Sequence, residues 1–290
     1  MRRYHAFGLS IRADLEFPEL FPIEENAAIP DLEIRAGSVP AEPFKADARR
    51  FVFAIDTIGS FLVEDGSRIF YQSLEGVEED ALRLFILGSC LGCVLQQRGY
   101  VVLHGNAVST DRESCRVIVG HQGAGKSTAA AWHFRQGHAI LADDVCAVGF
   151  DAEGRPRLVP SYPQIKLWQA SADLLGIETR GLRRIRPNLD KFAVPLGDQF
   201  QLTPLPLTEV MELRAGNAVS APFQGMEKIR CLREHTYRPH FIREMGFEAE
   251  YLKKVARLAG LIEMRAGVRR NLGGAPSPAE ATDEDPREDG

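Results

Sequence analysis

The sequence predicts a mixed α/β protein in which a small β-rich lobe precedes a larger unit built around a strand, a glycine-rich loop and a helix. Three observations carry this. Aromatic and β-branched runs fill the first 76 residues. GHQGAGKST, residues 120–128, separates a β-type run from a helical one. AILADDV, residues 139–145, leads apolar residues into two adjacent carboxylates.

In the front lobe, FVFAI (51–55) and GSFLVE (59–64) have strand composition, and Asp65-Gly66 turns the second run back into SRIFYQ (67–72). LSIRADLEF and DLEIRAG are weaker strand candidates, separated by a proline-bearing loop. Between residues 77 and 99 the period changes. Leu82, Phe85, Ile86, Cys90, Cys93 and Val94 recur at three and four residues, with Gly99 just past the end, which predicts a buried connecting helix. Its Cys90-x-x-Cys93 pair lacks the second pair a zinc site needs, and two small core cysteines is the simpler reading.

A third region, residues 100–272, opens with YVVLHGNAVS and CRVIVG, two apolar strands, the second running into the loop. AAAWHFRQG predicts a helix and HAILADDVCAVGF a further strand, with DAEGRP as a hairpin turn. Residues 161–206 look irregular and proline-punctuated, and FEAEYLKKVARLAGLIEMRAG reads as one or two helices. Residues 273–290 form an acidic tail with too little apolar content to repay ordering, so disorder is expected there.

The net charge of -5 resides in that tail; without it, 34 acids face 34 bases. A neutral body gives no electrostatic case for nucleic acid or an anionic membrane as partner. The most apolar stretch, ILGSCLGCVL, is about half the ~20 residues a bilayer-spanning helix needs. With five cysteines and no apolar run behind the opening arginines, a cytoplasmic, reducing location is expected.

Gly120, His121, Gln122, Gly123, Ala124, Gly125, Lys126 and Ser127 match the P-loop, or Walker A, pattern G-x-x-x-x-G-K-[ST], with Thr128 following. Glycines let successive N–H groups turn toward phosphate oxygens, and the helix N-terminus adds positive potential. Lys126 is expected to neutralise β/γ charge and Ser127 to ligate Mg²⁺. The bare pattern arises by chance in on the order of one in a hundred chains of this length, so its strand-to-helix context matters. ATP is the expected nucleotide. Asp143 and Asp144, placed at the edge of a strand beside the P-loop strand, supply a metal ligand and a proton acceptor, in roles that should differ.

LHGNAV (103–108), GHQGAGKST and RQGHAILADDV (135–145) together resemble the kinase domain of HPr kinase/phosphorylase, with Asp143 only 17 residues beyond Lys126. The resemblance implies a fold of the HPr kinase and phosphoenolpyruvate carboxykinase type, and serine phosphorylation with ATP and Mg²⁺. By matching positions it implies Asp143 as base, Asp144 and Ser127 at the metal, and His104 close to the reacting phosphate. Thr128 stands where HPr kinases usually carry glutamate. YHAFGLSI, YPQIKLW, LDKFAVPL and HTYRPHFIREMG resemble, more narrowly, the HPr kinase-like proteins of peptide-modification clusters, including those for lasso peptides. This implies a precursor peptide as partner, phosphorylated on a serine at or near its C-terminus.

RGLRRIRPNLDK (180–191) adds a basic segment in which Arg186 and Lys191, flanking Pro187, are the candidates for clamping a phosphate or substrate carboxylate; Lys166 ranks behind them. A small-molecule kinase and a nucleotide-binding regulator remain the alternatives. Oligomeric state is left open.

Overall fold

Alternation of buried and part-exposed residues makes the first quarter of the chain a sheet. A computed structural model describes residues 1–24, 28–40, 46–186, 189–214 and 222–268. Strands β1 (Arg2–Ala6), β2 (Leu9–Ala13), β3 (Phe21–Pro22), β4 (Leu32–Ala36), β5 (Arg50–Ile55), β6 (Gly59–Glu64) and β7 (Arg68–Ser73) form one sheet in the order β3-β1-β2-β4-β7-β6-β5. The two weak strand candidates are β2 and β4, paired parallel. Asp65-Gly66 does turn β6 into an antiparallel β7, with positive φ at both residues.

The connecting helix is interrupted. α1 (Glu79–Phe85) passes into a π-turn over Ile86–Cys90 before α2 (Leu91–Gln97). Tyr237 packs against this segment so closely that a Cβ at Gly92 would lie 2.7 Å from its ring and one at Gly88 3.1 Å from its hydroxyl. The segment joins one core with Ile11, Ile34, Phe61 and Ile69 of the first sheet and Val102, Val145 and Ala147 of the second, so it is buried between the two sheets. Cys90 and Cys93 are free thiols within that core, and burial raises both pKa values.

β8 (Val101–Ser109), β9 (Cys115–Val119), α3 (Lys126–Arg135), β10 (Ala139–Phe150), β11 (Pro156–Val159), β12 (Gln164–Trp168), α4 (Gln169–Leu175), β13 (Lys191–Pro195), β14 (Leu205–Arg214), α5 (Met226–Glu234), α6 (Pro239–Glu244), α7 (Glu248–Leu261) and β15 (Glu263–Val268) complete the chain. The second sheet runs β11-β10-β8-β9-β14-β15 and curls until β14 also meets β11 through Leu205 and Leu158. α5 and α7 cover one face, while α3, α4 and the β12–β13 ribbon cover part of the other.

Four expectations change. β10 does not flank the strand that precedes the glycine-rich loop: β8 lies between β9 and β10. Nor do the aspartates stand at the edge of β10: they lie within it, since the strand runs on to Phe150 as expected and forms the expected hairpin with β11. Residues 161–206 hold an antiparallel ribbon, β12–β13, and helix α4. The chain after α7 leaves the helical path at Ile262 and becomes β15, because β14 offers a parallel backbone partner from Glu209 to Arg214. Buried Met264 and Ala266, alternating with exposed Glu263 and Arg265, carry the period of two that the preceding helical pattern masks. The acidic tail and Pro187 lie outside the described residues. No helix among the described residues is long and apolar enough to cross a membrane.

Candidate active site

Side-chain alternation along β8 sends Val102, His104, Asn106 and Val108 to one face. Val102 belongs to the core beneath the connecting helix and Val108 to the core beneath α3 and α4. His104 and Asn106 therefore occupy a polar interval between two apolar cores.

β10 completes that interval. Its register sets Asp143 opposite Asn106 and Asp144 opposite Gly105. Simple alternation would send the two aspartates to opposite faces. Asp144 instead has φ 75°, a left-handed conformation uncommon for a non-glycine residue, and this re-aims its side chain. Strain of this kind persists where the surroundings over-determine it. Gly105 lets the strands come this close, because a Cβ there would lie 2.5 Å from the carbonyl oxygen of Ile118.

The adjacent carboxylates sit in different surroundings. Asp143 is 4% exposed; Asn106 donates to its Oδ1, and the backbone N–H of Lys166 donates to Oδ2 at 2.7 Å. Burial raises its pKa, with Lys166 opposing. The Asp144 side chain is 29% exposed and faces Lys166 Nζ at 2.9 Å and His104 Nδ1 at 3.3 Å. Burial works against its charge, yet Lys166 and His104 hold its pKa well below the usual carboxylate range. Lys166, itself buried, stays protonated: burial opposes the charge, but Asp144 and Tyr162 raise its pKa well above the ordinary lysine value. Its backbone and its side chain thus address one aspartate each. The His104 ring is 43% exposed but densely surrounded, as on the floor of a cleft, and burial lowers its pKa to about 4 against the pull of Asp144. The ring stacks on Tyr237 at 5.9 Å, and its backbone N–H donates to His235.

The glycine-rich motif lies between β9 and α3. Gly120, Gly123 and Gly125 all have positive φ, and a Cβ at Gly120 would lie 2.8 Å from the Leu213 carbonyl oxygen. Lys126 Nζ donates to the carbonyls of Gly120 and His121 at 2.7 and 3.2 Å. Burial lowers its pKa, while Asp144 and Asp143 act on it as opposing charges. Loop and aspartates therefore share one electrostatic field. Ser127 sits half-buried in the first turn of α3, whereas the Thr128 hydroxyl is buried against Ser171 of α4 at 2.9 Å. His121 and Gln122 are exposed and Ala124 packs toward the α3–α4 core.

Lys191 reaches this centre: its ammonium lies 5.3 Å from the Trp168 ring centre and acts on Lys126, Asp143 and Asp144 as a nearby charge. Arg186 stacks on Phe85 of α1 instead. Arg183 is tied to Glu19 and Arg184 to Asp190, so much of the basic segment is balanced by local acids. Sequence reasoning gave no role to Asn106 and ranked Lys166 too low. A lysine inside the apolar run QIKLW was the available signal, since an ammonium on a buried strand needs an anionic partner.

No protein-family model matches the chain, and no curated protein matches it. Among solved structures, it is similar to the Hpr(Ser) kinase/phosphatase from Coxiella burnetii, at 11% identity and a TM-score of 0.31, over 59% of this chain and 87% of that one. This is a distant likeness, from which no residue correspondence is taken.

Proposed function

We propose that the protein is an ATP- and Mg²⁺-dependent kinase that phosphorylates a serine hydroxyl, with the C-terminal serine of a precursor peptide as acceptor. One observation carries the proposal: Asp144, turned toward the surface by its left-handed backbone, meets His104 and Lys166 within the field of the P-loop lysine. A nucleotide-binding regulator needs no such reachable carboxylate beside its loop.

The residues present fit Mg-ATP. Positive-φ glycines, one of them with no room for a Cβ, leave the loop N–H groups free to turn toward phosphate, and Lys126 and Ser127 follow at the start of α3. Ser127 would hold magnesium, which would neutralise phosphate charge there.

The sequence expectation of Asp143 as base and Asp144 at the metal changes in this proposal: Asp144 becomes the base, and neither aspartate holds the metal. Asp143 has both oxygens engaged and is enclosed, which suits it to positioning Asn106 and Lys166. Asp144 is reachable, and the Lys166 ammonium already compensates its charge, which makes it a poor magnesium ligand. Asp144 accepts the serine proton as the serine oxygen bonds to the γ-phosphorus and the bond to the departing ADP oxygen breaks. In a loose transition state the hydroxyl grows acidic late, so a carboxylate of low pKa suffices. Lys166 and Lys191 offset the charge on the transferring group, and Lys191 also suits the terminal carboxylate of a peptide. Neutral His104 holds the orientation of Asp144.

The test is mass spectrometry of a short peptide ending in serine after incubation with protein and Mg-ATP, beside a serine-free peptide. One added phosphate on the terminal serine is expected. ATP binding without transfer would move the assignment to a small-molecule acceptor or a regulator. Asp144→Asn should abolish transfer while sparing ATP binding; the same result from Asp143→Asn alone would restore the first assignment of roles.

A further inference from the structure

Among the described residues, phosphate chemistry leaves one cluster of metal-ligand side chains without a role. His121 lies in the loop, Glu212 on β14, and His235 just after α5, and one ligand atom from each falls within 4.8 Å of the others. Glu212 and His235 are buried, with side chains 6% and 4% exposed, and His235 Nε2 lies 2.9 Å from Glu212 Oε1. The His121 ring is 70% exposed and stands edge-on to His235 with centroids 5.3 Å apart. Arg214 Nε donates to the other Glu212 oxygen at 2.5 Å, which orients Oε1 toward the imidazoles. An outer hydrogen bond of that kind is how proteins fix a ligating carboxylate.

We propose that His121, Glu212 and His235 form a site for a divalent transition metal of the zinc type, which fastens the phosphate loop to β14 and α5. Two imidazoles and one carboxylate are a zinc donor set that leaves one position open, whereas magnesium favours oxygen ligands. The exposed side of His121 provides the entry path. Phosphate binding by the loop uses its backbone N–H groups, so the His121 imidazole is not needed there. Its partner in this structure, Glu234 at 2.9 Å, forms an exposed pair that a metal displaces readily. His235 also accepts the backbone N–H of His104, so the staple connects both halves of the candidate active site.

The experiment uses the full chain without an affinity tag, dialysed against a chelator and titrated with Zn²⁺ by calorimetry and with Co²⁺ by visible absorption, in excess Mg²⁺. One Zn²⁺ per chain is expected, with an intense Co²⁺ d–d band that Zn²⁺ bleaches. Arg214→Gln should weaken binding roughly 10–100-fold, as losing an outer partner does, and His121→Ala should weaken it further. Because His121 is exposed, that variant tests the site without disturbing the core. Amide exchange of the loop should slow on adding Zn²⁺ in the wild type and not in His121→Ala. Absence of a stoichiometric site, or Zn²⁺ binding unchanged by His121→Ala, overturns the proposal.

Discussion

The β6–β7 hairpin and the β8–β10 pair are both antiparallel ribbons bearing charge, and they treat it in opposite ways. Around β6–β7 the charges lie at the rim: Arg49 and Arg68 pair with Asp65, and Arg50 with Glu64, all with the arginine side open to water. Between β8 and β10, Asp143 and Asn106 are nearly inaccessible, and a buried lysine from a third strand completes the group. The core beneath the first ribbon is aromatic, with Phe51, Phe53 and Phe61 in contact with one another or with Phe241. A solvated charge costs little wherever it sits, while a buried one must be assembled with partners. Of these two ribbons, the one where chemistry is proposed is the one that buries its charge.

The comparison can be broken most severely at the loop. Lys126→Ala should lower phosphate transfer by about 10²–10³-fold or more, since a fixed positive group is lost from developing charge; transfer at the wild-type rate in a radiolabel assay would sink the P-loop reading. Next comes Lys166→Met, which removes a buried ammonium from part-exposed Asp144 and buried Asp143. Loss of one partner from a buried pair costs about 3–5 kcal/mol, to be read from the urea midpoint.

His104 gives the contrast a pH dependence. Its folded-state pKa of about 4 lies below its unfolded value of roughly 6.5, so in that window the unfolded chain binds more protons. The stabilising contribution is fully present above about pH 6.5 and is lost as pH falls toward 4. Denaturation of wild type and His104→Asn across this range should show a slope in the first that is smaller in the second. The smallest effect belongs to the rim. Arg68→Ala should change stability by under about 1 kcal/mol, and a value near that of Lys166→Met would erase the distinction between the ribbons.

Much of this organisation is legible along the chain because it is local. The Asp65-Gly66 turn, the apolar runs of β8 and β9, and the loop's glycines state their backbone needs within a few residues. β15 was not legible, because its strand state depends on β14, more than 50 residues earlier in the chain at Glu209↔Glu263. The π-turn was missed for a similar reason: it lies where Gly88 and Gly92 receive Tyr237, a residue from far along the sequence.

The candidate site divides along the same line. By itself, the sequence determined that a glycine-rich loop before a helix, a histidine-bearing strand and an aspartate pair exist, because each is a short pattern carried by its own residues. Only the tertiary structure decided which aspartate faces outward and that Lys166 unites the pair. Those outcomes rest on the left-handed backbone at Asp144 and on hydrogen bonds to a residue 22 or 23 positions away. A buried charge takes its identity from the partners that packing brings to it, and no local pattern specifies them.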